Sequence, residues 1–235
     1  MHILVIDGGH VEAEFRAKFG PGHTYTFVED GFQYHFHGLP PELRAATNAA
    51  DVTFCFSDGA PLWEEAGKIV FYEATALNLP QKILHWHQAV HGNSKPETQS
   101  LATLFGFCGL PTLLHRPLLE VSLYHETDRQ QLADTCAALG TDYRVVADRV
   151  GLVTPRVICQ IINEAYCTIQ EGTATKTDVD LAMRLGTNYP HGPFAWAEAI
   201  GLERVYAVLE SLWADTHDER YKVCPLLKKE ALRDS

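Results

Sequence analysis

The sequence predicts an α/β domain over residues 1–147 followed by an all-α domain over residues 148–235. Up to residue 147, short apolar runs of strand length alternate with amphipathic runs of helix length. Beyond residue 153 only helical periodicity recurs, interrupted by glycine and proline. A chain of 235 residues with 46% hydrophobic content is long enough for two domains, each with its own core.

The charge balance, the length of the apolar runs and the cysteine spacing argue against some classes of partner and environment. The 19 basic and 30 acidic side chains give a formal net charge of −11, without a basic stripe. That balance argues against a nucleic-acid partner, because phosphate binding draws on clustered Lys and Arg. No apolar run approaches membrane-spanning length and the amino end lacks a cationic lead, so we expect a cytoplasmic protein without a membrane partner. The six cysteines lack Cys-x-x-Cys spacing, which favours buried reduced thiols over disulfides.

The first predicted unit is a strand, a tight turn and a helix. Residues 2–6 form an apolar strand, Asp7-Gly8-Gly9 forms the turn, and an amphipathic helical run follows. A second strand over residues 25–28 ends at Glu29 and Asp30. These acids lie about twenty residues past the turn, where the ribose-binding acid of a dinucleotide-binding unit stands. The candidate cofactor-binding residues are therefore Gly8, Gly9, Glu29 and Asp30.

The glycine pattern of this turn is incomplete. Aligned on Gly9, a Gly-x-Gly-x-x-Gly fingerprint needs glycine at Asp7 and at Glu12, and each is a carboxylate beside the expected pyrophosphate. Like charges and the loss of close backbone approach both oppose nucleotide binding. Two interpretations stay open: a degenerate nucleotide site, or a simple turn in the sheet, which these residues favour.

The rest of the first domain continues the alternation of strands and helices. Residues 31–50 are short and mixed in character and carry no assigned element. Strands are predicted at residues 51–56, 82–87, 106–108, 118–123 and 144–147, and helices at residues 68–76 and 128–139.

Helix start signals dominate the second domain. Thr154 can cap a first helix, and Pro155 suits its first turn. A second helix begins near Lys176, with Thr175 or Thr177 as its cap.

A stiff corner follows the second helix. Gly186 ends that helix, and the two prolines within residues 189–194 restrict the backbone of the corner. Pro193 opens the next helix, and another helix starts after Gly201.

Several motifs in this part carry a family resemblance. They are Asp148-Arg149-Val150-Gly151, Asn163-Glu164-Ala165, Gly172-Thr173-Ala174, residues 178–183 and residues 189–194. At these offsets the chain closely resembles the C-terminal helical domain of the 3-hydroxyacyl-CoA dehydrogenases. The resemblance implies a shortened Rossmann-like N-terminal domain, degenerate in its dinucleotide-binding turn, followed by a helical dehydrogenase-type domain. It also implies NAD-linked oxidation of a 3-hydroxyacyl-CoA or similar 3-hydroxy acid in fatty-acid metabolism, an acyl-CoA-like ligand, and a homodimer formed through the C-terminal helices.

The resemblance further implies a catalytic histidine paired with a glutamate, which orients the imidazole and stabilises its charged form. Glu120 stands where the family has the glutamate. Counting back from Glu120 at the family spacing reaches Cys108, whose thiol is a poor substitute for the histidine. His115 and His87 are therefore the candidates for a rearranged base.

Two other positions depart from the family pattern. The family's serine falls around residues 87–89, which contain no serine, and its asparagine aligns with Pro155, which has no side-chain amide. The enzyme hypothesis, with an altered or lost activity, therefore stands beside a second one. The alternative is a non-catalytic acyl-CoA-binding or oligomeric interaction protein on the same scaffold.

Metal-assisted hydrolysis is a third alternative. His35 and His37, and likewise His85 and His87, would share a strand face if each segment is extended. No acidic third ligand stands at a recognisable offset, so we predict no metal site.

Aromatic side chains at helical spacing mark the end of the chain. Trp196, Tyr206 and Trp213 belong to a strongly apolar helical surface. A core face is the simpler interpretation, and the excess of apolar surface over what one short bundle buries favours a symmetric dimer.

Overall fold

The computed structural model describes residues 1–29, 39–58, 60–92 and 100–233. It divides into two compact units, one comprising Met1–Gly109 with Leu114–Leu152 and the other Leu110–Leu113 with Val153–Ser235. Within the described ranges, no helix is both long enough and apolar enough to cross a membrane.

The first unit is built on one sheet, to which the described residues contribute seven strands. They are β1 His2–Ile6, β2 Thr24–Val28, β3 Val52–Cys55, β4 Ile69–Glu73, β5 Thr103–Phe107, β6 Leu118–Leu123 and β7 Asp142–Val145. Their order across the sheet is β2-β1-β3-β4-β5-β6-β7. The first five strands are parallel, β6 is antiparallel to β5, and β7 is parallel to β6. The carboxyl ends of the five parallel strands therefore meet at one edge, the carboxyl edge.

Helices cover both faces of this sheet. They are α1 Glu12–Phe19, α2 Pro41–Ala49, α3 Leu79–His91 and α4 Arg129–Leu139. On the first face, Phe15 of α1 and Leu132 of α4 belong to one buried cluster with Phe54 of β3. On the second face, Leu43 of α2 and Ile83 of α3 belong to another cluster with strand residues. Burial on both faces explains why the strands read as nearly continuous apolar runs.

Two predicted elements in the middle of this unit are wrong. The sequence predicts a helix over residues 68–76, but β4 lies there and pairs with both β3 and β5. It predicts a strand at residues 82–87, which belong to α3. A capping box starts α3, because the side chains of Asn78 and Gln81 each accept the other's backbone N–H. Each of these short apolar stretches fits both helical and strand periodicity. The capping box at the start of α3 and the pairing of β4 with its neighbours decide which structure forms.

In the longer segment of the second unit, the regular elements among the described residues are all helices. Its helices in the described residues are α5 Thr154–Gln170, α6 Lys176–Thr187, α7 Pro193–Ile200, α8 Leu202–Thr216 and α9 Pro225–Ala231. The predicted fold class, α/β followed by all-α, is confirmed.

Helix starts in this unit follow the sequence signals with one exception. Thr175 caps α6, and its hydroxyl accepts the N–H of Asp178 at 3.2 Å. Pro193 opens α7 as predicted. The predicted Thr154 cap is wrong, because Thr154 is already the first residue of α5 and Val153 precedes it.

A carboxylate explains the Gly-Pro-Phe corner between α6 and α7. Asp180 of α6 accepts the N–H groups of Phe194 at 2.8 Å and Ala195 at 3.0 Å, in the first turn of α7. These N–H groups have no partner within their own helix, and the helix dipole favours negative charge there. A Cβ at Gly192 would lie 2.5 Å from the Cβ of Asp180. Glycine at this position therefore leaves the room that the carboxylate needs.

Asn163 of the Asn-Glu-Ala motif attaches the end of the chain to α5. The side chain is buried, and its amide donates to the carbonyl of Lys222 at 3.0 Å. Its side-chain oxygen accepts the N–H of Cys224 at 2.8 Å, one residue before α9. A structural role thus accounts for this motif residue.

We expect Asn163→Ala to destabilise the second unit by about 1–3 kcal/mol, because it removes the partner of the buried Cys224 N–H and of the Lys222 carbonyl. Urea unfolding followed by circular dichroism measures the loss. Glu164→Ala, at the exposed neighbouring position on the same helix, should change the unfolding free energy by no more than about 0.5 kcal/mol. Equal effects of the two variants would contradict the structural role of Asn163.

Candidate active site

The carboxyl edge of the first unit is the candidate active site. In doubly wound sheets, ligands bind outside the carboxyl ends of the strands, where the strand order reverses. Here β1 lies between β2 and β3, so the reversal falls beside β1. The segments that leave this edge are Asp7–Gly9, residues 56–58, residues 73–75 and residues 108–109.

The turn after β1 holds Asp7 in the left-handed backbone conformation that glycine usually adopts. Asp7 is 2% exposed, has a φ of 55°, and donates its N–H to the carbonyl of Val28 at 2.8 Å. Glycine adopts this left-handed conformation freely, and Asp is one of the few other residues that tolerate it. The sequence discrepancy at Asp7 therefore leaves the turn itself intact.

Three of the four predicted cofactor-binding residues meet at this turn. The N–H of Gly9 donates to the Glu29 carboxylate at 2.9 Å. A Cβ on Gly9 would lie 2.5 Å from the same oxygen, and a Cβ on Gly8 would lie 2.7 Å from the Phe56 ring. Asp30, the fourth candidate, lies outside the described residues.

These residues fit the ribose end of a dinucleotide better than its phosphates. After accepting the Gly9 N–H, the Glu29 carboxylate keeps acceptor capacity for ribose hydroxyls. Glu12, in the place of the third fingerprint glycine, is the first residue of α1 and forms an ion pair with Arg16 at 2.7 Å. That pairing reduces its repulsion of a pyrophosphate without supplying the close backbone approach of a glycine.

The Phe56 ring holds the middle of the carboxyl edge. It follows β3 and is 8% exposed. The ring also lies so close to Gly109 that a Cβ there would overlap the Phe56 ring and would lie 2.8 Å from the Cγ of Glu73. The ends of β1, β3, β4 and β5 are thereby packed together around one aromatic side chain.

Glu73 is a polar residue of this edge that the sequence interpretation missed. Its carboxylate accepts the Thr75 hydroxyl at 2.6 Å, the Thr75 N–H at 3.2 Å and the Gly109 N–H at 3.4 Å. Burial raises the pKa of Glu73, and the Lys82 ammonium and these hydrogen bonds oppose that shift. The helix predicted over residues 68–76 concealed that position 73 ends a strand.

Lys82 of α3 brings a buried cation to the same place. It is 4% exposed and forms an ion pair with Asp58, whose side chain is 40% exposed. Burial alone lowers the pKa of Lys82, but the carboxylates of Asp58 and Glu73 outweigh it and hold that pKa above its ordinary value. One ammonium group and two carboxylates thus form an interacting cluster, the Lys82 cluster.

Glu120 lies in β6, in register with Arg144 of β7. The antiparallel register of β5 and β6 ends with Phe107 opposite Val121, so its continuation places Cys108 opposite Glu120. Cys108, the residue at the family's histidine position, is 4% exposed. The topology therefore keeps the two family positions adjacent, with a thiol in place of the imidazole.

The two substitute histidines lie on different faces of the sheet. His115 is exposed and lines a cavity of about 480 Å³ with Lys18 of α1 and Cys136 of α4, on the first face. His87 belongs to α3 on the second face, half-buried, with its ring centroid 4.9 Å from that of His91. Leu119 and Val121 point to the first face, so alternation turns Glu120 to the second. The pairing of Glu120 with either histidine stays a prediction.

The metal alternative loses its geometric basis at the second His-x-His pair. His85 and His87 lie on a helix, where residues two apart do not share a face. His35 and His37 fall outside the described residues. Within the part of the chain that the structure describes, no group of three His, Cys, Asp or Glu side chains could hold a metal ion.

Comparison with known proteins agrees with this architecture. The family model for the C-terminal domain of 3-hydroxyacyl-CoA dehydrogenase matches residues 151–233. The 3-hydroxyadipyl-CoA dehydrogenase of Escherichia coli K12 is 44% identical over 90 residues, which cover 38% of this chain and 19% of that protein. A probable 3-hydroxybutyryl-CoA dehydrogenase of Deinococcus radiodurans is 31% identical over 178 residues, 72% of this chain and 59% of that protein. The chain thus spans less than two thirds of the length of these curated relatives.

A solved structure extends the similarity of fold to nearly the whole chain. An (S)-3-hydroxybutyryl-CoA dehydrogenase from Ralstonia eutropha superposes with a TM-score of 0.64 at 18% identity, over 99% of this chain and 94% of that one. The doubly wound sheet and helical C-terminal domain define a dehydrogenase-type class of fold. By the match over residues 151–233, the helical part of the chain belongs to the 3-hydroxyacyl-CoA dehydrogenase family.

We expect Gly8→Ala to destabilise the first unit by about 1–3 kcal/mol, because the added methyl group overlaps Val5 and the Phe56 ring. Gly22→Ala is the matched control, since a Cβ there meets nothing within 4 Å. Its effect should stay below about 1 kcal/mol. Urea unfolding of both variants measures the difference, and a neutral Gly8→Ala would contradict the close packing at this edge.

Proposed function

We propose that the chain is an NAD-linked oxidoreductase of the 3-hydroxyacyl-CoA dehydrogenase type, acting on a 3-hydroxyacyl-CoA or a similar 3-hydroxy acid. The contact that carries the proposal is the Glu29 carboxylate on the Gly9 N–H, at the strand-order reversal of a doubly wound sheet. The family membership of residues 151–233 supports the substrate class. Relatives named as 3-hydroxyadipyl-CoA and 3-hydroxybutyryl-CoA dehydrogenases support it further.

The residues of this chain divide the roles as follows. Glu29, with Gly8 and Gly9 and with Asp30 as a second acid, binds the adenosine ribose of the cofactor. When bound, NAD supplies the hydride acceptor. Glu120 keeps the family's glutamate position, and the sequence offers His115 and His87 as candidate imidazoles for proton transfer.

Glu29→Gln should weaken NADH binding at least tenfold, because a ribose hydroxyl then loses a charged acceptor and charged hydrogen bonds contribute about 1.5–3 kcal/mol. Fluorescence titration with NADH measures the affinity. Glu42→Gln, an exposed carboxylate of α2, is the control and should bind like the wild type.

A companion assay follows acetoacetyl-CoA-dependent oxidation of NADH by absorbance. Wild-type protein that neither binds NADH nor turns over acetoacetyl-CoA would refute the oxidoreductase proposal. Calorimetric binding of acetoacetyl-CoA without NADH would then favour the non-catalytic acyl-CoA binder.

We also propose that the chain forms a homodimer through its C-terminal helices. No residue of α6 is buried within the chain, and Leu181 and Leu185 of α6 are 52% and 77% exposed. Of the aromatic residues singled out in the sequence, Trp196 is buried in the second unit, whereas Tyr206 and Trp213 are partly exposed. An apolar helix face open to water is the surface that a symmetric interface covers.

Leu185→Glu should raise the dimer dissociation constant at least about tenfold, because burying one leucine contributes roughly 1.5–3 kcal/mol and a symmetric interface contains it twice. Sedimentation equilibrium measures the constant. Leu232→Glu, at a leucine 56% exposed near the end of α9, is the matched control. A monomeric wild type, or an unchanged constant for Leu185→Glu, would contradict an interface on α6.

A further inference from the structure

Glu73 combines partial burial, a defined hydrogen-bond shell and a position at the carboxyl edge. Thr75 donates its hydroxyl to the carboxylate at 2.6 Å, and the Gly109 N–H approaches it at 3.4 Å. Burial raises the pKa of Glu73 above its ordinary value, which makes the carboxylate a stronger proton acceptor. Glu73 as a residue is partly rather than fully buried.

The other two members of the Lys82 cluster lie on two different segments and influence the protonation of Glu73. The ammonium of Lys82 comes from α3, and Asp58 comes from the segment after β3. The Cys55 thiol of β3 also interacts with Lys82, and burial raises the pKa of that thiol well above its ordinary value. Because that thiol stays protonated and carries no charge, Lys82 and Asp58 are the charged groups that act on the pKa of Glu73. One ammonium group shared by two carboxylates allows Glu73 to take up a proton without leaving a buried anion unpaired.

Glu73 lies close to Cys108, the residue that replaces the histidine of the family's catalytic pair. Gly109, whose N–H meets Glu73, directly follows Cys108. Cys108 continues the β5 register opposite Glu120, where the family resemblance expects the histidine. Through the Gly109 N–H, the Glu73 carboxylate contacts the residue next to the position that lacks an imidazole.

We infer that Glu73 is the catalytic base of this protein, taking the proton that the family's histidine would take. The inference rests on the proposed function. In the oxidation direction, the C–H bond at the hydroxyl-bearing carbon breaks and its hydride passes to NAD, while the O–H proton passes to the Glu73 carboxylate as the C=O bond forms. The substrate loses two electrons and NAD gains them. The proton on Glu73 then passes to solvent. Lys82 is a positioning residue that tunes Glu73.

Glu73→Gln tests the assignment, since its amide oxygen can still accept from Thr75 and Gly109. We expect kcat to fall about 10²–10⁴-fold, the usual contribution of a general base, with NADH affinity unchanged. The matched control is Glu64→Gln, because desolvation also raises the pKa of Glu64. Glu64 lies in the 3-10 turn of residues 62–64, apart from the carboxyl edge. In that turn the Trp63 carbonyl accepts the N–H groups of residues 101 and 102, just before β5. This variant should retain wild-type kcat.

A second readout does not depend on activity. A carboxyl pKa raised in the folded state means that the folded protein binds the proton more tightly than the unfolded chain. The unfolding free energy contributed by Glu73 should then fall as pH rises from the unfolded pKa of about 4.3 through the folded pKa. Urea midpoints measured across this range should show that fall in the wild type, and it should be smaller in Glu73→Gln.

Lys82→Met separates a catalytic from a structural role of Glu73. Removing the cation should raise the pKa of Glu73 further and shift the acidic limb of the kcat profile to higher pH. If Lys82→Met does not fold, Glu73→Gln still decides the question.

The outcomes distinguish this inference from the proposed function. Wild-type turnover with a Glu73→Gln variant that keeps kcat within about threefold and the same pH profile would overturn the assignment alone. Wild-type protein without NADH-linked turnover would overturn both the proposed function and the inference.

Discussion

The carboxyl edge of the first unit depends on the close approach of one aromatic ring to two glycines. The Phe56 ring would lie 2.7 Å from a Cβ at Gly8 and would overlap a Cβ at Gly109 even more closely. No side-chain atom fits in either gap, so the turn after β1 and the end of β5 are held against β3. The same packing turns the Gly109 N–H toward Glu73. The position of one ring thereby decides where the polar groups of the site lie.

Carboxylates hold backbone N–H groups at the starts of helices in both units. Asp180 accepts two N–H groups at the start of α7, and Asp148 accepts the Leu79 N–H of α3 at 3.1 Å together with the Ser122 hydroxyl at 2.8 Å. Glu29 takes the Gly9 N–H ahead of α1 in a related way. An acidic chain uses the positive ends of its helices as partners for part of its charge. A dinucleotide at the first turn must therefore share the Glu29 carboxylate with the backbone.

Local signals were sufficient to predict the helical unit and insufficient at the centre of the sheet. Thr175, Pro193 and Gly201 mark helix starts by their own chemistry, and α6, α7 and α8 begin at or beside them. In contrast, the spacing of apolar residues in β4 is compatible with a helix as well as with a strand. Only its pairing with β3 and β5 makes it a strand. The error also concealed Glu73, because a residue that ends a strand reaches the carboxyl edge whereas a residue within a helix does not.

By itself, the sequence determined the fold class, the strand-turn-helix unit with Gly8, Gly9 and Glu29, and the family resemblance of the second unit. These features depend on residues close together in the chain, whose spacing and backbone preferences can be interpreted locally. Only the tertiary structure brought Asp58, Glu73 and Lys82 into one cluster, because they come from three separate segments. Burial and charge proximity, which set the protonation of that cluster, arise when the strands and α3 pack and have no counterpart in the order of residues.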